Sequence, residues 1–194
     1  MSKWLNEPAV SLVNKSYHTF ANSVYPRKKG DDYPTIDTRC MDGLLYFFDI
    51  NGTVVDPCVS TKSGIIDYLK DKGISAFPLF DALGGIFGAD WIITNPPYTR
   101  GLVDIIVSRQ IMRIQDGEVK NVAMLLREGF AFAQSRKNLF LSPLYDGEIK
   151  LCFRPRWFPK KPGDESPIHN FSWHIWHNAG IHEPAEKFYY PPSV

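Results

Sequence analysis

The tetrapeptide Asn95-Pro96-Pro97-Tyr98 contains the side chains of this sequence that are best suited to chemistry on a planar amino group. Two consecutive prolines make a rigid turn, because each ring fixes φ and removes a backbone donor. The side-chain oxygen of Asn95 and the carbonyl oxygen of Pro96 can then accept hydrogen bonds from one amine. Tyr98 adds a flat face for base stacking, which contributes about 1–3 kcal/mol in nucleic-acid binders. The motif predicts a site for an exocyclic amine, on a base flipped out of a duplex or in a single strand.

Alternating strand and helix patterns predict the elements that position this tetrapeptide. Short apolar or β-branched runs indicate strands, and apolar residues at helical spacing indicate helices between them. Such alternation is typical of parallel βαβ units, so we predict an α/β fold whose mostly parallel sheet carries an antiparallel edge strand. The predicted strands are 52–56, 74–80, 89–94, 121–126, 149–154 and 171–177; the predicted helices are 38–47, 63–72 and 102–113, with a polar helix holding Arg127, Arg136 and Lys137.

Three polar features directly follow predicted strands. Asp56 ends the first strand, Asp81 ends the second, and Asn95 with its two prolines ends the third. Ligands of open α/β sheets bind beyond the carboxyl ends of the strands, so these three features predict one site. The alternative is an ordinary strand-ending turn, since Pro-Pro is common in loops. The buried-strand pattern Ile92-Ile93 just before Asn95 favours the site.

Residues Asp90–Tyr98 (DWIITNPPY) resemble motif IV of the amino-methyltransferases that use S-adenosyl-L-methionine (SAM). Upstream, Asp32–Thr35 (DYPT) is similar to the YPT version of motif X in that family. Downstream, Val122–Arg127 and Phe171–Trp176 resemble later strands of small phage and prophage adenine methyltransferases. The resemblance spans roughly residues 30–177, and the family that the chain resembles is that of the adenine-N6 DNA methyltransferases. It implies a Rossmann-like SAM-dependent methyltransferase fold with an antiparallel last strand. We expect the protein in the cytoplasm of a bacterial or phage-infected cell.

The resemblance also implies roles for individual residues, with SAM as cofactor and DNA as partner. Asn95 and the carbonyl of Pro96 would orient the target amine, Pro97 completes the motif, and Tyr98 would stack the base. Asp81 would bond the ribose hydroxyls of SAM; its two other interpretations are an acid beside the adenine ring of SAM and a solvated turn residue. The residues expected to hold SAM are Tyr33, Pro34, Thr35, Asp56, Cys58 and Asp81.

The loop after Asp56 departs from the family pattern. Ser60 and Lys62 stand where the family has glycines, which usually allow positive φ or close approach of a ligand. Lys62 there crowds the pocket or brings a cation near the sulfonium. This departure leaves one alternative open, a degenerate, inactive relative that binds nucleic acid. The tetrapeptide leaves a second one open, a methyltransferase that acts on the planar amino groups of RNA or of glutamine side chains.

Nucleic-acid contacts are expected from local patches, because a net charge of +1 excludes binding through bulk charge alone. The predicted nucleic-acid-binding residues are Arg154, Arg156, Trp157 and Lys160, since arginine beside aromatic rings suits an unstacked strand. The cluster Arg27-Lys28-Lys29 is a second candidate for phosphate contacts. For both basic segments, solvated loops are the alternative.

No metal site is predicted, although His169, His174, His177 and His182 lie close together in sequence. Residues 174 and 177 have an odd separation, so they point to opposite faces of a strand. Neither a cysteine nor a pair of carboxylates accompanies the histidines at ligand spacing.

Composition and length predict one globular domain rather than a disordered chain. We expect a polar extension over 1–29, the methyltransferase domain over 30–180 and a tail over 181–194. Three widely spaced cysteines indicate reduced thiols, and no run approaches the ~20 apolar residues of a membrane helix, so no membrane partner is expected.

Overall fold

A computed structural model describes residues 34–59, 63–86, 88–99, 101–157, 162, 166–178 and 184–192. Helices and strands alternate through the first half of this part of the chain, as the hydrophobic patterns predict, except that the second and third strands follow each other with no helix between them. The elements are α1 (Arg39–Phe47), β1 (Val54–Asp56), α2 (Gly64–Asp71), β2 (Ala76–Pro78), β3 (Trp91–Thr94), α3 (Leu102–Gln115), β4 (Asn121–Arg127), α4 (Lys137–Phe140), β5 (Tyr145–Leu151), β6 (Phe171–His177) and β7 (Ala185–Tyr189).

All seven strands belong to one sheet, in the order β2-β1-β3-β4-β6-β5-β7. The pairs β1–β2, β1–β3, β3–β4 and β5–β7 are parallel, whereas β6 runs antiparallel to both of its neighbours. The predicted mostly parallel α/β sheet is therefore confirmed. The antiparallel strand lies inside the sheet between β4 and β5, not at its edge, because β5 and β7 extend the sheet beyond it.

Helices cover both faces of the sheet, and β4 shows how one strand serves two cores. Val122, Met124 and Leu126 pack in a cluster with the apolar residues of α3. Ala123 and Leu125, which alternate with them, pack in a second cluster with α1 and α2. Alternate side chains of a strand point to opposite faces, so this pattern makes a three-layer α/β/α arrangement.

Helix α1 is attached to the centre of the sheet by a long-range hydrogen bond. The indole Nε1 of Trp173, in β6, donates to the carbonyl oxygen of Cys40 at 2.7 Å. Both residues are fully buried, and the two are 133 positions apart in sequence. The N-terminal helix of the described chain is thus held by one of its last strands.

Three expectations from the sequence are wrong in position or type. Strand β7 (Ala185–Tyr189) lies within the segment expected to be a tail. Strand β5 begins at Tyr145, four residues before the predicted start, because Gly147 interrupts the apolar pattern without ending the strand. The predicted polar helix after β4 is replaced by two 3-10 turns, Glu128–Phe132 and Gln134–Arg136, and the four-residue α4.

Several predicted features lie outside the described residues. These are the extension 1–29 with its cluster Arg27-Lys28-Lys29, and Tyr33, Ser60, Lys62, Lys160 and His182. In the described part of the chain, no helix is long and apolar enough to span a membrane. The same residues contain no group of three or more side chains placed to hold a metal ion.

Candidate active site

The tetrapeptide lies where β3 ends, at the carboxyl edge of the parallel strands. All four residues of β3 are buried, and burial continues through Asn95, Pro96 and Pro97. The Nδ2 of Asn95 donates to Thr35 Oγ1 at 2.9 Å, and the hydroxyl of Tyr98 donates to Asn95 Oδ1 at 2.5 Å. Both ends of the Asn95 amide therefore have a partner, which fixes the direction of its oxygen.

Thr35 has a backbone conformation that is rare for its residue type. Its φ is +51°, in the left-handed region, where a β-branched residue is a genuine outlier. The start of α2 holds it there: Gly64 N donates to Pro34 O at 2.7 Å. A Cβ on Gly64 would lie 2.3 Å from Thr35 O, so only glycine permits this approach. The strained turn brings the Thr35 hydroxyl to Asn95.

Asp56 connects three elements at the carboxyl edge of the sheet. Its buried carboxylate accepts hydrogen bonds from Ser63 Oγ at 2.7 Å, Thr94 Oγ1 at 2.6 Å and Cys58 N at 3.1 Å. Ser63 is also the N-cap of α2, since its Oγ accepts from Ile66 N at 3.2 Å. The end of β1, the start of α2 and the residue before Asn95 are thereby held together.

Two further residues predicted to hold the cofactor, Cys58 and Asp81, follow β1 and β2 in the chain. Asp81 Oδ1 accepts a hydrogen bond from Leu83 N at 2.9 Å, which closes a local turn. Cys58 is buried against Ala82 in that loop and Ile106 in α3. Thus Asp81 organises its own turn, and Cys58 packs beneath that turn.

No family model matches this chain, and no curated protein matches it. Among solved structures, a candidate class I SAM-dependent methyltransferase from Listeria monocytogenes is similar, with a TM-score of 0.51 and 14% identity over 83% of this chain. The chain has the fold of a class I methyltransferase. A mutant DNMT2 from Spodoptera frugiperda has a TM-score of 0.39, at 14% identity over 82% of this chain. This chain spans 66% and 54% of the two proteins, less than two thirds of each.

In this methyltransferase fold, the predicted nucleic-acid-binding residues have separate surroundings. Arg154 is exposed, and its Nε donates to Asn170 Oδ1 at 3.2 Å. The backbone N–H of Arg156 donates to Asp37 Oδ2 at 3.1 Å, which ties the loop after β5 to the segment before α1. Arg39 pairs with the same carboxylate at 2.7 Å. The structure thus brings Arg154, but not the Arg156 backbone, to the start of β6.

A row of aromatic rings connects the predicted Trp157 to the tetrapeptide. Trp157 meets Phe171 edge-to-face with ring centroids 4.9 Å apart, and Phe171 lies 5.6 Å from Tyr98. The guanidinium of Arg127 lies over the Tyr98 ring, 5.2 Å from its centroid. The sequence patterns placed Phe171 in a strand and Arg127 in a helix, and neither pattern indicated that both residues contact Tyr98.

A groove of about 460 Å³ opens beside Tyr98 at the carboxyl end of β4. Its lining includes Arg127 at the end of β4, Glu128 directly after it, and His169 and Asn170 directly before β6. Slight burial and the nearby Arg127 lower the pKa of His169 below its usual value. The signal that could have located this groove is the polar sequence directly after a buried strand.

Proposed function

We propose that the chain transfers a methyl group from SAM to the exocyclic N6 amine of adenine in DNA. The observation that carries this proposal is the fixed amide of Asn95 at the end of β3, beside the buried carboxylate of Asp56. The resemblance of Asp90–Tyr98 to motif IV supports the choice of an amino group as the acceptor. The fold supports SAM-dependent methylation in general.

The chemistry of the described side chains fits SAM as the cofactor. Asp56 supplies a buried carboxylate at the end of β1, suited to an ammonium group, and Asp81 supplies a partly exposed carboxylate after β2, suited to ribose hydroxyls. When bound, SAM supplies a methyl group on a positively charged sulfur. The residues that we propose for its binding are Tyr33, Pro34, Thr35, Asp56, Cys58 and Asp81.

The hydroxyl of Tyr98 gives the site a way to admit the amine. The hydroxyl has one proton to donate and lies within hydrogen-bond distance of two acceptors, Asn95 Oδ1 at 2.5 Å and Leu125 O at 2.7 Å. When the amine donates to Asn95 Oδ1, the Tyr98 hydroxyl can keep its bond to Leu125 O. Its ring, which now lies beneath Arg127, is then the surface on which the base stacks.

The transfer needs orientation more than a strong base. With its two N–H groups directed to Asn95 Oδ1 and to the carbonyl of Pro96, the amine nitrogen turns its lone pair toward the methyl carbon. A C–N bond forms, the C–S bond breaks with its electron pair left on sulfur, and the amine then loses one proton to water. Pro97 keeps the turn rigid while this happens.

The test is methyl transfer by wild type and by Asn95→Ala, with Asn138→Ala as matched control because Asn138 is exposed in α4. Radiolabelled SAM and a DNA oligonucleotide are incubated with each protein, and N6-methyladenine is quantified by mass spectrometry. We expect wild type and Asn138→Ala to methylate DNA and Asn95→Ala to be folded but inactive. An active Asn95→Ala variant would refute the role of this residue.

Parallel assays separate the alternative functions. Ribosomal RNA and a glutamine-containing peptide replace DNA as acceptors, and calorimetry measures SAM binding directly. Transfer to RNA or to glutamine but not to DNA would replace the proposed acceptor. Failure of the wild type to bind SAM would identify an inactive relative.

A further inference from the structure

The groove beside Tyr98 has the electrostatic character of an anion-binding site. Arg127 is exposed at its wall, and within the described residues it forms no ion pair. Arg136, which also lines the groove, is occupied: it pairs with Asp104 and donates to Phe130 O at 2.9 Å. Arg127 is therefore the guanidinium in the groove that an incoming anion can recruit.

The carboxylate in the groove is restrained by its neighbours. Glu128 Oε2 accepts from Asn170 Nδ2 at 3.0 Å, and Asn170 Oδ1 accepts from Arg154 Nε at 3.2 Å. The backbone N–H of Glu128 also donates to Asn170 O at 3.1 Å. This chain of bonds holds Glu128 toward β6 and brings a second guanidinium, that of Arg154, to the same edge of the groove.

Apolar surface completes the lining. Phe130 is buried at the floor, while Ile168 is 73% exposed at the rim. The volume of about 460 Å³ lies in the range of pockets that hold small ligands of nucleotide size. A phosphodiester strand presents this combination, an anion beside flat apolar rings.

We propose that this groove binds the sugar-phosphate backbone of the acceptor DNA strand, with Arg127 as the phosphate contact. The inference rests on the proposed function, and it names the part of the surface that holds the strand while a base stacks on Tyr98. Arg127 now lies over the Tyr98 ring, so entry of the base releases its guanidinium toward the phosphate. Arginine suits this role because its planar fork matches phosphate oxygens in a bidentate manner.

The experiment measures binding of a fluorescent single-stranded DNA oligonucleotide by anisotropy, over a series of salt concentrations. The proteins are wild type, Arg127→Ala, Arg127→Lys and Lys70→Ala. Lys70 is exposed in the last turn of α2, so its removal changes the charge equally but away from the groove. Circular dichroism verifies that each variant is folded.

We expect Arg127→Ala to weaken binding roughly tenfold and to reduce the slope of log Kd against log salt by about 0.7, the value for one phosphate contact on a single strand. Arg127→Lys should keep the slope, and Lys70→Ala should match wild type. In the methyl-transfer assay, Arg127→Ala should raise KM for DNA and leave kcat unchanged. The KM change distinguishes strand binding from a general structural role.

Wild-type affinity and slope in Arg127→Ala would overturn the inference, and methyl transfer by the same protein would leave the proposed function standing. An equal loss of binding in Lys70→Ala would also overturn it, because the effect would then be one of overall charge. Conversely, a slope change confined to Arg127 with no methyl transfer by wild type would support the groove and reject the proposed reaction.

Discussion

Replacing Thr35 with valine tests whether this strained residue sets the direction of the Asn95 amide. Valine keeps the shape and the β-branch, so the strain at φ +51° is the same in both proteins and cancels in the comparison. The variant loses Oγ1, the acceptor of the 2.9 Å bond from Asn95 Nδ2. Both residues are buried, so removing this acceptor should lower the free energy of unfolding by about 1–3 kcal/mol.

The effect on catalysis should exceed what partial unfolding can explain. Without Thr35 Oγ1 the amide keeps only one of its two partners, so the direction of its oxygen toward the amine is less firmly fixed. Losing about 1.4 kcal/mol of transition-state stabilisation lowers the rate tenfold, so we expect kcat for methyl transfer to fall about tenfold or more. The assay combines urea unfolding with initial rates at saturating SAM.

Thr35→Ser is the matched variant, because it keeps the hydroxyl and removes only a methyl group. The lost methyl lowers the free energy of unfolding by about 0.8 kcal/mol, partly offset by relief of crowding at positive φ, and kcat should stay near the wild-type value. A folded Thr35→Val protein with wild-type kcat would refute the reasoning. Equal losses of kcat in both variants would assign the effect to packing instead.

Three further predictions concern stability. Gly147→Ala should lower the free energy of unfolding by about 2–4 kcal/mol in urea, because a Cβ there would lie 2.0 Å from Ala185 O; Gly117→Ala, which meets open space, should lose only about 1 kcal/mol. Burial, with a smaller effect of Lys150, lowers the pKa of His174 to about 3 from its usual 6.5. Neutral His174 therefore stabilises the fold fully above pH 6.5, and this contribution falls as pH drops toward 3. Urea unfolding should show that the free energy of unfolding is about 2 kcal/mol lower at pH 5 than at pH 7. His174→Gln should abolish this difference. Asp56→Asn places an amide donor against hydroxyl donors, so the free energy of unfolding should fall by about 3 kcal/mol. Calorimetry should show this as a lower unfolding temperature, together with loss of SAM binding.

Buried His174 lies near an acidic side chain, yet it is not an ion-pair partner. Glu148 Oε2 is 3.8 Å from His174 Nε2, too far for a hydrogen bond. The imidazole Nδ1 instead lies 2.9 Å from the Tyr145 hydroxyl. Burial therefore dominates, and the imidazole stays neutral at pH 7.

Elements with strong apolar patterns could be predicted from the sequence, and elements defined by their neighbours could not. The runs at β3 and β4 are buried on both faces, which leaves a continuous apolar signal. Strand β7 is mostly exposed and has a weak pattern, because what defines it is parallel pairing with β5. Gly147 suggests a turn in sequence, whereas in the fold it allows the backbone of Ala185 to approach.

For the candidate site, the order of strands explains what the sequence could predict. Asp56 and Asn95 end neighbouring parallel strands, so the rule for ligand sites in α/β sheets brings their surroundings together. The hydrogen bond from Tyr98 to Leu125 O and the contact of Arg127 with its ring depend on packing between distant segments. No local pattern carries such information, and the catalytic and binding roles of these residues stay predictions.

The hydrogen bond between Trp173 and Cys40 has a consequence for how the chain folds. It joins residues 133 positions apart, and β6, which contains Trp173, lies between β4 and β5 in the sheet. Closing so large a loop is slow, and contacts of long sequence separation slow folding in general. During synthesis, this bond to α1 cannot form until a strand more than a hundred residues later has been made.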